Sequence, residues 1–379
     1  MTKQELEYFR NKKILVTGHT GFKGSWLCRI LGLAGARVVG YSLAPEEGAL
    51  YPMAAGSMET SGQLRSVIAD IRDYDTLLRV MQEEQPELVL HMAAQPIVRT
   101  SYEKPRYTYE TNVMGTVNLC EAVRMTPSVK SFLNVTTDKV YKNEERGEAF
   151  REDEPLDGYD PYSNSKSCSE LVTHSYVNSF FREAGIAVST ARAGNVIGGG
   201  DFARDRIIPD SVRTVLGALP SVRKTDELCK PAIRVRNPYS IRPFQHVMEP
   251  LFMYLTILRA QAMDPSLAGA YNIGPEDADC VTTGDLVTRF CSAWNKAREE
   301  DDPELTWENV GNIGPHEATF LKLDCSLARR TFGWKPVWNI DRALAETVAW
   351  TRAYAAGGDT EKEMNREIEA FLADAEQQL

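Results

Sequence analysis

A tyrosine and a lysine four residues apart, Tyr162 and Lys166, have the types and spacing needed for proton transfer. Residues four apart on a helix project from the same face. A nearby lysine cation lowers the pKa of a tyrosine, so that its phenolate can accept a proton from a substrate hydroxyl. The spacing alone is not specific, because Tyr8 and Lys12 share it. Tyr8 precedes the first predicted strand, whereas Tyr162 follows the fifth, and this position indicates a catalytic role for Tyr162 and Lys166.

A second group of polar side chains, Thr136-Thr137-Asp138-Lys139, follows the fifth predicted strand. In open α/β sheets, ligands bind at the carboxyl ends of the strands. An acid and a base side by side at that edge, Asp138 and Lys139, could catalyse an elimination. The alternative is a hydrated turn in which Asp138 only caps the backbone.

A glycine-rich turn, GHTGFKG, lies between the strand-like run KILVT and a helical pattern. Glycines there permit a tight turn, close approach of a pyrophosphate to the backbone, and tight packing of the helix on the strand. The pyrophosphate would meet the N-terminal end of the helix. The alternative is an ordinary glycine-rich turn, but the strand–turn–helix context favours a dinucleotide site. The predicted cofactor contacts in this turn are Gly18, Thr20, Gly21, Phe22, Lys23 and Gly24.

The end of the second predicted strand indicates which dinucleotide is bound. An acidic residue would hold the adenosine ribose there, but this sequence has Ser42 instead. No arginine follows at once, so a 2′-phosphate has no evident partner and NAD is favoured over NADP. After the third strand, Asp70 and Ile71 are predicted to contact the adenine, unless Asp70 only caps the next helix.

Alternating strands and helices must position these residues. Strand–helix alternation at this spacing is typical of an α/β fold with a Rossmann-type, doubly wound parallel sheet. The predicted strands are Lys13–Thr17, Arg37–Tyr41, Arg65–Ala69, Leu88–Met92, Phe132–Val135 and Ala187–Ala193. The predicted helices are Gly24–Leu33, Asp73–Glu84, Tyr107–Arg124 and Pro161–Ala184.

The alternation ends after Gly198–Gly200, where proline-bearing loops begin. We therefore predict an NAD-binding Rossmann domain over residues 1–195, with a return segment near 243–265. The remainder of 196–379 is predicted to form a smaller, mixed α/β C-terminal domain that binds the substrate. Within it, residues 218–232 are expected to form a surface excursion, and residues 360–379 a solvated acidic helix.

Composition excludes several classes of protein. With 43 basic against 53 acidic residues in 379, the net charge of −10 argues against non-specific binding of nucleic acid or of an anionic membrane surface. The first twelve residues carry no apolar signal-peptide core. The seven cysteines are scattered and never spaced CxxC, and the five histidines are widely separated, so we expect reduced thiols, no metal site and a cytoplasmic location.

In this order, the three segments resemble the extended short-chain dehydrogenase/reductase superfamily, and within it the nucleotide-sugar 4,6-dehydratases. The resembling stretches include GHTGFKGSWL, HMAAQPIVRTSY, NVTTDKVY, GYDPYSNSK and ARAGNVIGGGDFARDRIIPD. The Asp138-Lys139 pair is similar to the branch that acts on CDP-glucose, whereas the dTDP-glucose and GDP-mannose branches carry Asp-Glu or Thr-Glu. Epimerases of the superfamily lack such a pair.

The resemblance implies a reaction in which NAD is reduced and then regenerated. Tyr162 would deprotonate the hexose 4-hydroxyl while NAD takes the C4 hydride, with Lys166 holding the ribose and Thr137 the hydroxyl. Asp138 would protonate the departing 6-hydroxyl, and hydride would return to C6. Lys139 would help to remove the C5 proton, act through water, or only orient the sugar.

The resemblance also implies further contacts. His91 and His246 are expected to be structural, and Asn112 to lie behind Lys166. The alternative for Arg206 and for Arg242 is a surface ion pair, and only their motifs favour binding. The further cofactor contacts implied are Ala93, Ala94, Gln95, Asn112 and Thr136. The substrate contacts implied are Gln95, Arg99, Asn195, Arg206, Arg242 and His316.

Two other functions remain open from the sequence. One is a nucleotide-sugar 4-epimerase or decarboxylase on the same scaffold, and the other is a non-catalytic NAD-binding regulator. The Thr137, Tyr162 and Lys166 set argues against a regulator, which needs no proton acceptor. By resemblance we expect a homodimer through the helices of residues 107–124 and 161–184, or a homotetramer formed from two dimers.

Overall fold

The computed structural model describes residues 1–144, 147–219, 231–311 and 320–378. Its main element is a seven-stranded sheet in the order β3-β2-β1-β4-β5-β6-β11, with every neighbouring pair parallel. The strands are β1 (Lys13–Thr17), β2 (Arg37–Ser42), β3 (Leu64–Ile68), β4 (Leu88–His91), β5 (Ser131–Val135), β6 (Ala187–Ala193), β7 (Val196–Ile197), β8 (Ala232–Val235), β9 (Ile241–Pro243), β10 (Gln245–His246), β11 (Ala270–Ile273), β12 (Cys280–Thr282) and β13 (Thr306–Asn309).

Both faces of the sheet are covered, which explains why its strands are near-continuous apolar runs. On β1, Ile14 and Val16 pack into one core and Leu15 into the core on the opposite face. The predicted doubly wound parallel sheet is confirmed, and the six predicted strands agree with the observed ones to within one residue at each end.

Helices cover the two faces and build the second lobe. The helices are α1 (Lys3–Leu6), α2 (Phe22–Leu33), α3 (Tyr51–Thr60), α4 (Tyr74–Glu84), α5 (Val98–Glu103), α6 (Pro105–Tyr109), α7 (Gly115–Arg124), α8 (Pro161–Tyr176), α9 (Ile207–Ala218), α10 (Met248–Met263), α11 (Thr283–Ala297), α12 (Ser326–Phe332), α13 (Ile340–Ala355) and α14 (Thr360–Gln377). Helices α2, α10 and α14 contribute to the core on one face of the sheet, and α4, α7 and α8 to the core on the other.

Two of the predicted long helices are interrupted by π-helical turns. The segment predicted as 107–124 consists of α6, a π-helical turn at Glu110–Met114, and α7. Helix α8 ends at Tyr176 and continues as a π-helical turn at Val177–Phe181. Such turns insert a residue into the helical ladder and frequently occur near functional sites.

A smaller mixed α/β lobe is built from α9, α11, α13 and three short strand pairs. Strands β7 and β10 pair in parallel, as do β8 and β13, whereas β9 and β12 are antiparallel. Its core includes Ile208, Phe244, Phe290 and Leu344. Of the expected excursion at 218–232, residues 220–230 lie outside the described part of the chain.

The chain returns to the Rossmann sheet over a longer stretch than 243–265. Helix α10 packs against β5 and β6, and β11 then adds the seventh strand beside β6. The expected C-terminal helix is present as α14, but it is not solvated on every side, because Met364, Ile368 and Phe371 are buried in the core that also contains α2. Within the described ranges, no helix is long and apolar enough to cross a membrane.

Candidate active site

The glycine-rich turn forms a cradle at the carboxyl end of β1. Gly18 has a φ of +77°, and a Cβ there would lie 2.8 Å from the backbone N of Ala93. A Cβ on Gly24 would lie 2.2 Å from the carbonyl oxygen of Gly18. Gly21 is the N-cap of α2 and offers no side chain to its first turn. This arrangement fits the diphosphate of a dinucleotide, because the glycines let the backbone of the turn approach a ligand closely at the helix N-terminus.

The end of β2 lies beside this cradle. The hydroxyls of Thr20 and Ser42 are 2.8 Å apart, and Thr20 also donates to the carbonyl oxygen of Leu43. Leu43 and Ile68 are 50% and 53% exposed, so two apolar side chains are available near the predicted adenine position. Phe22 begins α2 and packs against the core beneath.

Asp70 and Ile71 have different surroundings. Asp70 forms an ion pair with Arg72 at 2.7 Å, and this hydrogen-bonded partner lowers the pKa of Asp70. The N-cap of α4 is Asp73, so Asp70 does not cap that helix. Ile71 is 4% exposed and packs against Gly115. The side chain of Ile71 therefore belongs to the core, and only its backbone is placed to contact a ligand at the strand end.

Hydrogen bonds to Thr17 and Asn112 hold the residues that follow β4 in place. The hydroxyl oxygen of Thr17 accepts the N–H of Ala93 at 3.2 Å. Ala94 is partly buried, and Gln95 is buried with its backbone N–H donating to Asn112 at 2.8 Å. These contacts bring the loop after β4 against the turn after β1.

Asn112 connects that loop to α8, the helix that carries the candidate catalytic residues Tyr162 and Lys166. It lies in the π-helical turn Glu110–Met114, and its amide donates to the Ser165 hydroxyl at 2.9 Å and to the carbonyl oxygen of Gln95 at 3.1 Å. Ser165 directly precedes Lys166 on α8, so the contact of Asn112 with α8 is at the residue next to the lysine.

Helix α8 begins at a strong cap. Asp160 accepts the N–H groups of Tyr162 and Ser163, each at 3.0 Å. The structure places Tyr162 and Lys166 on one face, and Lys166 Nζ donates to the carbonyl oxygen of Val135 at 3.0 Å. Burial lowers the pKa of Lys166 to about 8.

The tyrosine, a threonine and an aspartate lie together at the end of β5. Burial raises the pKa of Tyr162 to about 12, and a hydrogen bond with Thr137 partly opposes this rise. The Thr137 hydroxyl donates to Asp138 Oδ1 at 2.9 Å. Thr137 therefore contacts both the candidate base and the candidate acid.

Asp138 begins a single 3₁₀ turn that ends at Val140. It is 1% exposed, and no partner for its Oδ2 is found among the residues that the structure describes. Burial raises the pKa of Asp138, although Lys139, Thr137 and Arg242 favour its charged form. A buried carboxyl with one unpaired oxygen is suited to donate a proton to a substrate.

Thr136 faces away from this group. Its hydroxyl donates to Glu170 Oε1, and its N–H donates to the carbonyl oxygen of Ala191 at 2.9 Å. Its side chain, which was predicted to contact the cofactor, is thus engaged with the protein interior.

Two of the arginines predicted to contact the substrate, Arg99 and Arg206, form ion pairs with aspartates. Arg99 and Arg236 lie 3.2 and 3.8 Å from the carboxylate of Asp205, and Arg206 lies 3.5 Å from Asp201. Burial raises the pKa of Asp201, and Arg206 opposes that shift. Two guanidinium groups from separate parts of the chain therefore meet at Asp205, and Arg206 follows this residue in the chain. Guanidinium groups placed in this way are suited to bind a diphosphate.

Two further predicted contacts border the cleft. Arg242 is 6% exposed and lies close enough to Asp138 to lower its pKa. The carbonyl oxygen of Asn195 accepts the N–H of Gln245 at 3.0 Å, which fixes the turn after β6. His316 lies outside the described residues.

One neighbour of the site, Tyr254 of α10, was missed in the sequence. Lys23 Nζ donates to its hydroxyl at 3.4 Å. Burial, followed by the charges of Arg206 and Lys166, lowers the pKa of Lys23 to about 8. Tyr254 lies in an apolar helical run, so nothing in its local sequence distinguishes it from a core residue.

The two histidines expected to be structural are buried. His91 Nδ1 and the Thr17 hydroxyl form a hydrogen bond of 2.7 Å, and His246 lies 2.8 Å from Glu367 of α14. Over the described ranges, no group of three or more His, Cys, Asp or Glu side chains could hold a metal ion.

The comparison with protein families and known sequences agrees with these features. The family model described as GDP-mannose 4,6 dehydratase matches residues 15–347. The chain is 43% identical over 373 residues to a CDP-glucose 4,6-dehydratase of Salmonella typhimurium (strain LT2), covering 97% of this chain and 98% of that protein. A dTDP-glucose 4,6-dehydratase of Xanthomonas campestris is 27% identical and covers 89% of this chain.

Solved structures share the fold at lower identity. A dTDP-glucose 4,6-dehydratase from Bacillus anthracis in complex with NAD has a TM-score of 0.72 at 22% identity, covering 93% of this chain and 99% of its own. A UDP-glucuronic acid 4-epimerase from Bacillus cereus, with UDP-glucuronic acid and NAD, has a TM-score of 0.74 at 21% identity, covering 90% and 99%. The matched span and the 43% identity show that the chain belongs to the GDP-mannose 4,6-dehydratase family.

Proposed function

We propose that the protein dehydrates CDP-glucose to CDP-4-dehydro-6-deoxyglucose with NAD as a recycled cofactor. The observation that carries this proposal is the buried acid Asp138 next to the candidate oxidation site of Thr137 and Tyr162. The 43% identity to a CDP-glucose 4,6-dehydratase supports the choice of substrate.

The cradle of Gly18, Gly21 and Gly24 fits NAD, since a side chain at Gly18 or Gly24 would collide with the backbone that must approach the diphosphate. Ser42, hydrogen-bonded to Thr20, takes the place where an NADP enzyme needs a cation for the 2′-phosphate. When bound, NAD supplies the hydride acceptor for C4 and the hydride donor for C6.

Tyr162 is the proposed acceptor of the 4-hydroxyl proton. Its pKa of about 12 must fall for this role, and a cation and a hydroxyl on the same side favour the phenolate. Lys166, with a pKa of about 8, is mostly charged at pH 7 and lies one turn along the same helix face. Thr137 orients the hydroxyl group of the sugar.

Asp138 is the proposed acid for the departing 6-hydroxyl. Because burial raises its pKa, its protonated form is more available near neutral pH than that of an exposed aspartate. Lys139 is adjacent in the chain, and we assign to it a role in removal of the C5 proton. It acts on this proton directly, acts through water, or only orients the sugar. The oxidised C4 acidifies C5–H and makes this elimination possible.

The arginines are proposed to bind the nucleotide diphosphate. Arg99, Arg206 and Arg242 come from three elements and offer planar donor groups that match phosphate oxygens. In the structure, Asp205 and Asp201 occupy two of them, so the substrate diphosphate would exchange with these carboxylates.

The experiment that tests the function follows hydrogen from C4. CDP-glucose deuterated at C4 should give a product with deuterium in the C6 methyl group, one C5 hydrogen exchanged with solvent, and no accumulated reduced cofactor. GDP-, UDP- and dTDP-glucose serve as controls for the base. An epimerase would return the label to C4, a decarboxylase would not accept this sugar, and a regulator would leave it unchanged. Any of these three results with all four sugars contradicts the assignment.

We also propose a cytoplasmic homodimer, or a homotetramer formed from two such dimers, assembled through α7 and α8. On these helices and the π-helical turns that flank them, Met114, Leu171 and Phe180 are 50%, 54% and 42% exposed. Exposed apolar side chains on adjacent helices indicate a protein interface. The cytoplasmic location is supported by the cysteines, because all six in the described ranges are free thiols.

A further inference from the structure

A buried glutamate lies on α8 one turn beyond Lys166. Glu170 follows Tyr162 and Lys166 at successive four-residue steps, so all three project from the same side of the helix. Its side chain is 3% exposed. Its Oε1 accepts from the Thr136 hydroxyl and from Arg192 Nε, and its Oε2 from the Thr190 hydroxyl and Arg192 Nη2. Both oxygens are therefore held by β6 and by the residue that follows β5.

Arg192 of β6 is the partner that allows the charged carboxylate of Glu170 to be buried. Its Nε and Nη2 each lie 3.0 Å from Glu170 in a two-pronged contact, and its own side chain is 5% exposed. Its Nη1 donates to the Tyr141 hydroxyl at 2.9 Å and to the carbonyl oxygen of Glu152 at 3.0 Å. A buried ion pair adds little net stability compared with apolar side chains of the same volume. The effect of the Glu170–Arg192 pair is instead to fix the positions of the side chains that are hydrogen-bonded to it, including Thr136.

The groups held by α8 are consecutive residues at the end of β5. Lys166 donates to the carbonyl oxygen of Val135, and Glu170 accepts from the hydroxyl of Thr136. Successive side chains of an extended chain point to opposite sides. Thr137 is extended, with φ −149° and ψ 157°, so the direction of Thr136 sets the direction of Thr137.

We infer that Glu170, clamped by Arg192, is a positioning residue for the proposed dehydratase reaction. By holding Thr136 towards the interior, it turns Thr137 and Asp138 towards Tyr162, and it links the helix with the base to the loop with the acid. This inference rests on the proposed function. The carboxylate also lies close enough to Lys166 to favour its charged form, against the effect of burial.

A pair of matched variants tests the inference. Thr136 and Thr190 each donate one buried hydrogen bond to Glu170, but only Thr136 is followed by reacting groups. T136V should lower kcat for CDP-glucose about tenfold or more, with KM changed by less than about twofold, because small misplacements of reacting groups are costly. T190V should leave both constants within about twofold. Both variants should unfold at similar temperatures.

Hydrogen–deuterium exchange measures the same effect without substrate. Amide exchange over residues 137–141 should rise in T136V and not in T190V. If wild-type enzyme converts none of the nucleotide sugars, the proposed function fails, and the exchange comparison still decides the positioning role. Equal kcat and equal exchange in T136V and T190V would overturn the inference.

Glu170→Gln adds a pH readout that a purely structural role would not change. Removing the carboxylate lowers the pKa of Lys166 further, so the loss of activity at alkaline pH should begin roughly one pH unit lower than in wild type. An unchanged alkaline limb in a folded E170Q protein would remove the electrostatic part of the inference. If E170Q does not fold, the comparison of T136V with T190V decides alone.

Discussion

The hydroxyl of Thr137 donates to Asp138 Oδ1 over 2.9 Å and also forms a hydrogen bond with Tyr162. One side chain therefore lies between the group proposed to accept a proton at C4 and the group proposed to donate one at C6. The two proton transfers are assigned to different elements, since Tyr162 lies on α8 and Asp138 follows β5. The roles can therefore be separated by mutation.

Tyr162→Phe should abolish oxidation at C4. The phenyl ring preserves the shape of the site but cannot accept the hydroxyl proton, so kcat should fall by at least about 100-fold, the upper part of the range for the loss of a general base being about 10⁴. Single-turnover absorbance at 340 nm should show no reduced cofactor. Reduced cofactor formed at the wild-type rate would remove Tyr162 from the mechanism.

Asp138→Asn should uncouple the two halves of the reaction. Oxidation at C4 should proceed, but the 6-hydroxyl leaves slowly because the amide cannot donate the required proton. Reduced cofactor should therefore accumulate at 340 nm, and turnover should drop by roughly 100-fold. If turnover is unchanged, Asp138 takes no part in the elimination and only occupies its buried place in the turn after β5, whose N-cap is Thr137.

Gly24→Ala should weaken binding of NAD while the sheet remains folded. The new Cβ would lie 2.2 Å from the Gly18 oxygen, and the turn must shift. Strain of about 1–3 kcal/mol corresponds to roughly a 5- to 150-fold loss of affinity, measured by calorimetric titration. Gly56→Ala on α3 is the control, because nothing lies within 4 Å of a Cβ there. Equal affinities of the two variants for NAD would contradict the assignment of the glycine-rich turn as the diphosphate-binding site.

Stability should fall in acid because two buried histidines stay neutral in the folded state. Burial lowers the pKa of His19 to about 4 and of His91 to about 3. The unfolded chain takes up protons below about pH 6.5, so the free energy of unfolding decreases as the pH falls from there. Each histidine should contribute about 2–3 kcal/mol between pH 7 and 4.5.

Thermal unfolding of His91→Asn over that pH range measures this contribution, and its midpoint should depend less on pH than that of wild type. His174→Asn is the matched control, since His174 is exposed. An equal pH dependence in the two variants would show that His91 is not the source.

Leu171→Arg should separate the subunits of the proposed dimer. A charge placed at this 54% exposed position of α8 would have to be buried in the interface. Light scattering after size exclusion should give the mass of one chain. Met263→Arg, at the end of α10 and 65% exposed, should leave the mass unchanged. A dimer in both variants would place the interface elsewhere.

Apolar runs, glycines and capping residues in the sequence predicted the individual strands and helices whose positions depend on neighbouring residues. The β-branched runs of β1 and β6 predicted both strands to the residue, and the caps and glycines marked the start of α2 and α8. The apolar face of α14 is also periodic, with Met364, Ile368 and Phe371 three or four residues apart, but its many acidic residues concealed it.

Other features depend on contacts between distant parts of the chain. Strand β11 has four residues, and its place is set by β6, about 80 positions earlier. Tyr254 reaches the site only because α10 packs under β5 and β6. Likewise, the side of the chain on which Thr136 lies is decided by Glu170 and Arg192, which no spacing within the segment 136–139 could show.

The late return of α10 and β11 to the sheet has a consequence for synthesis on the ribosome. Gln261 of α10 donates to the carbonyl oxygens of Phe132 and Ala187, at the amino ends of β5 and β6. Until residue 273 has emerged, β6 has an unpaired parallel edge, and the apolar face beneath it is uncovered. An exposed edge of this kind promotes association between nascent chains. The first residues of the small lobe, from β7 to β10, are therefore made while the large sheet is still open, whereas α11 and α13, which complete the core of that lobe, follow β11.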